Sequence, residues 1–250
     1  EIRKSGQMPG VFNRVRRKVD WLMGLELQSR TDPKAFPRTP KHEQGANAAT
    51  DAIRFVADKE DWDKKRSRVW ENMLMEGVGG VEIIHDFRPP MRQPRIKINF
   101  YPADRIFYDP HSVEPDFSDA RYLGAVVWSD ADALAEEHPS AKEAIAASVS
   151  ESSVSDDYED KPMWKAWSDP KRKRVRMVLM HYREGGEWKW VQFVRAGIIA
   201  EGASEYVDED GESLCPMELA SAYVGEDGNR YGVVRDMFAP QDEINARRRR

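Results

Sequence analysis

The chain has 250 residues, of which 33% are charged and 40% hydrophobic, and its net charge at pH 7 is -5. These values are typical of one large or two small globular domains and exclude a surface that is basic overall, so any nucleic-acid contact must be a local patch. The sequence has no apolar run of about 18 residues, the length that a spanning helix requires. The one cysteine, Cys215, cannot form an internal disulfide, and no Cys/His pattern of a zinc site is present.

The first third of the chain is predicted to be mostly helical. Apolar residues at three- and four-residue spacing predict a helix from Val11 that Gly24 ends. Three prolines within residues 29–45 favour an extended arm. A long helical region over residues 49–74 follows, and it is predicted to end at the glycine-rich segment 77–80.

The first helix carries four basic residues close together: Arg14, Arg16, Arg17 and Lys18. Charged helix faces are most often simply solvated. The alternative is that this helix contacts an acidic neighbour or a phosphate.

The pattern then changes to short segments rich in β-branched and aromatic residues. Residues 81–87 and 96–101 are predicted to form an antiparallel strand pair, and residues 122–128 form a third strand. Ser129 or Asp130 is expected to cap a short helix.

A second β unit is predicted in the last third of the chain. Strands over 174–182 and 187–195 join at a Gly-Gly turn as a hairpin, with a further strand over 198–200. An acidic, low-complexity segment over 148–160 precedes this unit, and a helix over 241–250 follows it. Because strands and helices do not alternate regularly, the fold class is predicted to be α+β rather than a doubly wound α/β sheet.

The densest basic run comprises Lys171, Arg172, Lys173, Arg174 and Arg176. Lys and Arg beside tryptophans can bind phosphate or stack on bases. Charged residues also protect strand edges, and the sequence leaves both interpretations open. If copies of the chain assembled into a ring, this basic surface could contact the acidic segment 148–160 of the next subunit in a head-to-tail arrangement.

Four carboxylates lie within sixteen residues: Asp104, Asp109, Asp116 and Asp119. Such a cluster can hold two metal ions for phosphoryl transfer, so a metal-dependent nuclease is the alternative function. Asp residues also form turns through hydrogen bonds to their own backbone, which is the favoured interpretation here. No catalytic, cofactor-binding or metal site is therefore predicted, and the protein is not expected to be an enzyme.

Four stretches, over 12–25, 70–82, 101–128 and 231–245, resemble in their order and spacing the portal proteins of tailed bacteriophages, in the family typical of short-tailed phages of enteric bacteria. The positions that match family motifs are Asp109, Pro110, Asp119, Tyr231, Gly232, Arg235, Gln241 and Asn245. The family usually has a serine soon after this asparagine, where the present chain has arginine.

The resemblance implies a portal-like fold with a helical wing that holds small antiparallel β units, and stem helices that flank a β-containing clip. On this basis residues 1–130 are assigned to the wing, 131–162 to a stem-like helix and acidic loop, 163–230 to the clip, and 231–250 to the start of a truncated stem helix. The chain is then expected to be the N-terminal piece of a longer protein.

The resemblance also implies a ring, expected to have twelve subunits, at one vertex of the capsid, with double-stranded DNA passing through its channel during packaging and ejection. The implied partners are the large terminase, head-completion and tail adaptor proteins, and capsid and scaffolding proteins. No membrane contact and no cofactor are expected. The implied location is the virion, with the host cytoplasm during assembly. A capsid-associated adaptor that binds a ring without forming one is a further alternative.

Overall fold

The computed structural model describes residues 12–86, 95–150, 167–208 and 210–248. In these residues the chain forms six α-helices: α1 (Val15–Gln28), α2 (Glu43–Lys59), α3 (Trp62–Met75), α4 (Ala131–Glu137), α5 (Lys142–Ser150) and α6 (Phe238–Arg248). The strands are β1 (Val78–Asp86), β2 (Arg95–Phe100), β3 (Ile106–Tyr108), β4 (Tyr122–Asp130), β5 (Ser168–Asp169), β6 (Arg174–Glu184), β7 (Glu187–Val194), β8 (Gly197–Ala203), β9 (Met217–Ser221), β10 (Tyr223–Val224) and β11 (Arg230–Tyr231). The mixture of helices and sheets confirms the predicted α+β class.

The chain divides into two compact units that are discontinuous in sequence. Unit 1 comprises the residues up to Ala103, Val113–Asp116 and the residues from Glu218 onward. Unit 2 comprises Asp104–Ser112 and Phe117–Met217. The assignment of residues to wing, stem and clip comes from the resemblance to the portal family and remains a prediction.

Unit 1 contains the helices α1, α2, α3 and α6, the β10–β11 pair and a sheet with the strand order β2-β1-β9. Helix α3 packs on this sheet. The predicted antiparallel pair is confirmed, with Val81 opposite Phe100 and Asp86 opposite Arg95. Leu74 of α3 and Val78 of β1 are buried here. Burial of such a side chain contributes about 1.5–3 kcal/mol, so this helix–sheet contact is a main source of the stability of unit 1.

Unit 2 is a six-stranded sheet in the described residues, with the order β3-β4-β6-β7-β8 and β5 paired to β6. The predicted hairpin is confirmed, with Glu184 opposite Glu187 across the Gly-Gly turn. Helices α4 and α5 pack on this sheet, and their shared core consists of Ala131, Leu134, Ala141, Ile145, Val175, Val194 and Ile199. Asp130 caps α4 as predicted, because its Oδ1 accepts hydrogen bonds from the amides of Asp132 and Ala133.

Several predicted element boundaries were wrong for identifiable reasons. Gly24 does not end α1, which continues to Gln28. A methyl group at Gly24 would meet no atom within 4 Å, so this glycine is an ordinary helix residue. The long helical region is two helices, because Asp61 adopts a left-handed conformation with φ 51° between α2 and α3.

The glycine-rich segment and the last helix also differ from expectation. α3 ends at Met75, Gly77 turns the chain with φ 89°, and Val78–Gly80 already belong to β1. α6 begins at Phe238 rather than at Gln241, and Pro240 lies in its first turn, where proline is tolerated.

The strand predicted over 122–128 is present as β4 but does not extend the first strand pair. It pairs instead with β6, with Tyr122 opposite Tyr182 and Asp130 opposite Arg174. The acidic segment 148–160 lies outside the described residues from Glu151 onward. Among the described helices, none is both long and apolar enough to cross a bilayer.

Candidate functional site

The predicted basic run forms a tight turn and the start of β6. Pro170–Arg172 is a short 3-10 helix whose first turn is capped by Asp169, which accepts from the Arg172 amide at 3.2 Å. Lys171 and Arg172 are exposed on this turn. Lys173 then adopts a left-handed conformation with φ 51°, which turns the chain into β6.

Lys173 ties this turn to α4. Its Nζ lies 2.9 Å from Oδ2 of Asp132, and its backbone carbonyl accepts from the Ala131 amide at 2.9 Å. The hydrogen bond that Lys173 donates to Asp132 raises the pKa of Lys173, and the negative charge of Asp132 adds to this effect. Lys173 is therefore less available to an outside ligand than Lys171 and Arg172.

Arg174 and Arg176 have different surroundings although they are two residues apart. Arg174 is exposed and lies opposite both Asp130 and Asp169 in the sheet register. Arg176 is half-buried, and its guanidinium lies 5.2 Å from the ring centroid of Trp128. Burial lowers the pKa of Arg176, and the neighbouring Arg105 lowers it further.

The structure therefore places the five basic residues on one turn and strand but gives them neighbouring carboxylates. Asp130, Asp132 and Asp169 all lie beside the run. A surface of mixed charge holds phosphate less strongly than a purely basic one, because attraction to the phosphate is offset by repulsion from the carboxylates. This arrangement suits a protein partner with specific polar groups better than it suits tight binding of a DNA backbone.

The family-motif residues Asp109, Pro110 and Asp119 form an ordered loop before β4. Asp109 is 4% exposed, and its two carboxylate oxygens accept from the amides of His111 at 2.9 Å and Arg121 at 3.1 Å. Oδ1 of Asp119 accepts from the hydroxyl of Ser112 at 2.6 Å. These contacts confirm the turn-forming interpretation of Asp109.

The carboxylates predicted for the alternative nuclease do not form a metal site in the described part of the chain. No group of three or more His, Cys, Asp or Glu residues there is placed to hold a metal ion. Asp104 is exposed, and Oδ1 of Asp119 accepts from the Ser112 hydroxyl. The oxygens of Asp109 that a metal would need are already bound to backbone amides.

The motif residues Tyr231 and Gly232 form a close backbone contact with α3 in unit 1. A methyl group on Gly232 would collide with the backbone of Met73 and Leu74, and one on Gly77 would collide with the backbone of Tyr231. The Val234 amide donates to the carbonyl of Leu74 at 3.3 Å. Glycine is therefore required on both sides of this contact, because any side chain would separate the two backbones.

The motif residue Arg235 packs against the ring of Tyr231. Its guanidinium lies 4.5 Å from the ring centroid of Tyr231, which in turn stacks on Tyr223 with 5.4 Å between the ring centroids. This stack fixes the small β10–β11 hairpin beside the contact.

The motif residues Gln241 and Asn245 of α6 bind the segment that precedes α1, which we call the Gln–Asn clamp. Asn245 Oδ1 accepts from the Phe12 amide at 3.0 Å, and Gln241 Nε2 donates to the Phe12 carbonyl at 2.7 Å. Gln241 Oε1 also accepts from the Arg14 amide at 2.8 Å, and Gln241 Nε2 donates to Asn245 at 3.1 Å. Gln241 uses both the donor and the acceptor of its side-chain amide, which suits glutamine to this position, whereas Asn245 contributes only its Oδ1 as an acceptor.

Sequence reasoning missed the buried polar groups of unit 1. Glu60 is 6% exposed and lies 2.6 Å from Arg95 and 3.0 Å from Lys65, while the Ile98 amide donates to it at 3.2 Å. Burial alone would raise the pKa of Glu60, but these hydrogen bonds and charges outweigh it and lower the pKa to about 2. Glu60 lies among many other charged residues in the predicted helical region 49–74, so nothing local in the sequence indicates that it is buried.

A second buried carboxylate, Glu82 on β1, accepts from the hydroxyl of Tyr101 at 2.6 Å and from Nδ2 of the Asn99 side chain at 3.0 Å. Burial raises the pKa of Tyr101, and the charge and hydrogen bond of Glu82 raise it further. Tyr101 therefore remains protonated and keeps its donor. These groups stabilise unit 1, since each has a structural hydrogen-bond partner.

The whole chain, residues 1–250, matches the family model described as phage P22-like portal protein. The chain therefore belongs to the phage P22-like portal protein family. No curated protein gives a significant match to it. Membership in this family implies a capsid-associated oligomeric ring and a structural rather than a catalytic role.

Proposed function

We propose that this chain belongs to the subunit of a ring at one capsid vertex, where it forms the channel for DNA packaging and ejection. The observation that carries the proposal is the match to a portal family over all 250 residues. It is supported by the structural roles of the motif residues Gly232, Gln241 and Asn245, which hold together backbone segments far apart in sequence. Such joints suit a subunit that must keep its shape within a large assembly.

The regional assignment follows from the same resemblance. We propose that residues 1–130 contribute the wing, 131–162 a stem-like helix and acidic loop, 163–230 the clip, and 231–250 the start of a further stem-like helix. The ring is proposed to have twelve subunits. Its partners are proposed to be the large terminase during packaging and head-completion and tail adaptor proteins afterwards, with capsid and scaffolding proteins around it.

The basic turn of Lys171, Arg172 and Lys173 is proposed to be a docking surface for a protein partner. The turn is exposed, and its neighbours Asp132 and Asp169 reduce its attraction for a phosphate backbone. A channel that moves DNA must avoid many strong phosphate contacts, because each one adds salt-dependent affinity and resists sliding. The net charge of -5 is consistent with such a channel.

Neutralising the three residues separates the two possible roles of the turn. In the full-length protein, Lys171→Ala, Arg172→Ala and Lys173→Ala together are expected to weaken terminase binding by about tenfold, since exposed charges contribute up to about 1 kcal/mol each. DNA packaged per docked terminase should change little. Lys142→Ala, which removes an exposed charge from α5 in the same unit, is the matched control.

The opposite pattern would contradict this role of the turn. If terminase binds the triple variant normally while packaging is lost, the turn acts on DNA passage and not on docking. Terminase affinity is measured with purified rings, and packaged DNA by nuclease protection.

A further inference from the structure

Helix α1 presents an apolar and basic face to solvent. Trp21 is 63% exposed and Leu25 47% exposed. Arg17 and Lys18 precede Trp21 by four and three residues, so all four side chains lie along one side of the helix. The opposite side packs inward, where Val19 is buried and Trp70 donates to the Leu22 carbonyl at 3.3 Å.

The basic residues of this face come from two segments that are far apart in sequence. The Gln–Asn clamp holds Phe12, and the guanidinium of Arg248 lies 4.8 Å from the centroid of the Phe12 ring. Arg248 therefore joins Arg14, Arg17 and Lys18 at the start of α1. None of the described carboxylates lies within ion-pair distance of Arg14, Arg17 or Lys18.

An exposed acidic turn in unit 2 has the complementary character. Within the described part of the chain, the charged residues of this turn are Glu205, Asp208, Asp210 and Glu212, and all of them except the half-buried Asp208 are exposed. Val207 among them is 62% exposed. The turn is ordered by its own hydrogen bonds, since Asp208 Oδ1 accepts from the amides of Asp210 at 2.9 Å and Glu212 at 2.8 Å. It therefore presents an apolar side chain surrounded by negative charge.

We propose that the acidic turn of one copy docks on the exposed face of α1 in a second copy. This inference rests on the proposed function, since it assigns a contact within the ring. Trp21 and Leu25 would cover Val207, and the four basic residues would face the carboxylates. Because the two surfaces are different, the contact is heterologous and repeats from copy to copy around a closed ring.

The basic turn at Lys171–Arg174 is a weaker acceptor for the same acidic turn. Lys173 is already paired with Asp132 at 2.9 Å, and Arg172 lies 3.9 Å from Asp169. The α1 face offers charges that have no ion-pair partner among the described residues, together with exposed apolar area. Apolar burial supplies most of the association free energy. Charge complementarity then sets orientation and partner choice.

Disulfide crosslinking in the full-length protein tests the contact. Cys215→Ser removes the natural thiol, and Trp21→Cys with Val207→Cys places one thiol on each surface. Mild oxidation is expected to give a ladder of covalent oligomers on a denaturing gel. The control pairs Val207→Cys with Phe55→Cys, because Phe55 on α2 is 64% exposed and matches Trp21 in accessibility.

Each outcome decides the inference. A ladder with the Trp21 pair but not with the Phe55 pair supports the contact. Three results would overturn the contact while leaving the ring intact. They are ladders of equal strength for the two pairs, particles of ring mass that give no ladder, and a crosslink that forms only within single chains. If the protein forms no ring before oxidation, the proposed function fails and the inference fails with it.

A charge exchange gives an independent check. Arg17→Glu alone and Asp210→Lys alone should each reduce the fraction of protein in rings several-fold, and the double variant should recover most of it. Failure of the double variant to exceed the single variants, with all variants folded by circular dichroism, would also overturn the contact.

Discussion

Glu60 provides the sharpest test of how unit 1 is held together. Its carboxylate is 5% exposed and contacts Arg95 of β2 and Lys65 of α3, so Glu60→Gln removes the charge at the junction of a helix and a sheet. Lowering the Glu60 pKa from 4.5 to about 2 corresponds to about 3 kcal/mol, at about 1.4 kcal/mol per tenfold change in proton affinity. We therefore expect Glu60→Gln to reduce the free energy of unfolding at pH 7 by about 2–3 kcal/mol.

The pH dependence of the stability difference between wild type and Glu60→Gln identifies the cause of this loss. Because the folded-state pKa lies below the unfolded value, the stabilisation is complete above about pH 4.5 and disappears as the pH falls through about 2. The difference between wild type and variant should therefore shrink by about half or more between pH 5 and pH 3. Urea denaturation followed by circular dichroism measures it.

A matched variant and a contrary result complete the test. Asp61→Asn alters the neighbouring carboxylate, which is 64% exposed and pairs with Lys64 at the surface. It should change the free energy of unfolding by less than about 0.5 kcal/mol. If Glu60→Gln is as stable as wild type at pH 7, or if the difference does not depend on pH, the argument from the ion pair is refuted.

Three further predictions concern the motif residues. Gly232→Ala should destabilise unit 1 by more than 1 kcal/mol because a methyl group collides with the α3 backbone. Gly24→Ala is the contrasting variant and should stabilise α1 by about 0.5–1 kcal/mol. Thermal denaturation measures both changes. Asn245→Ala should speed hydrogen exchange at the Phe12 amide at least tenfold, since that amide loses its acceptor. Asp109→Ala should destabilise unit 2 by about 1–3 kcal/mol because two backbone amides lose their acceptor.

Glu243→Gln changes an exposed residue of α6 and should leave exchange at Phe12 unchanged; fast exchange in both variants would place the effect in the helix and not in the clamp. Equal stability of Gly232→Ala and wild type would disprove the close contact. If Mg²⁺ raised the melting temperature of wild type but not of Asp109→Ala, the nuclease alternative would be favoured.

Local chemistry made much of the fold predictable. The cap at Asp130, the hairpin around Gly185-Gly186 and the pair of β1 with β2 all depend on residues close in sequence, and the structure confirms them. The left-handed Asp61 that divides α2 from α3 has no proline or glycine to mark it. The pairing of β4 with β6 joins segments about fifty residues apart, and alternation alone does not choose a partner strand.

The candidate site was predictable only in part. The basic run was visible as composition, but its pairing with Asp132 depends on the α4 start lying beside the turn. The Gln–Asn clamp joins residues more than 220 positions apart. Motif spacing marked Gln241 and Asn245, yet nothing in the sequence indicated that they bind Phe12 and Arg14.

Electron-microscope class averages of the full-length protein test the central claim most directly. The account predicts closed rings with a central channel, at a uniform subunit number and across a range of salt concentrations. A uniform population of monomers or small dimers under all those conditions would contradict it.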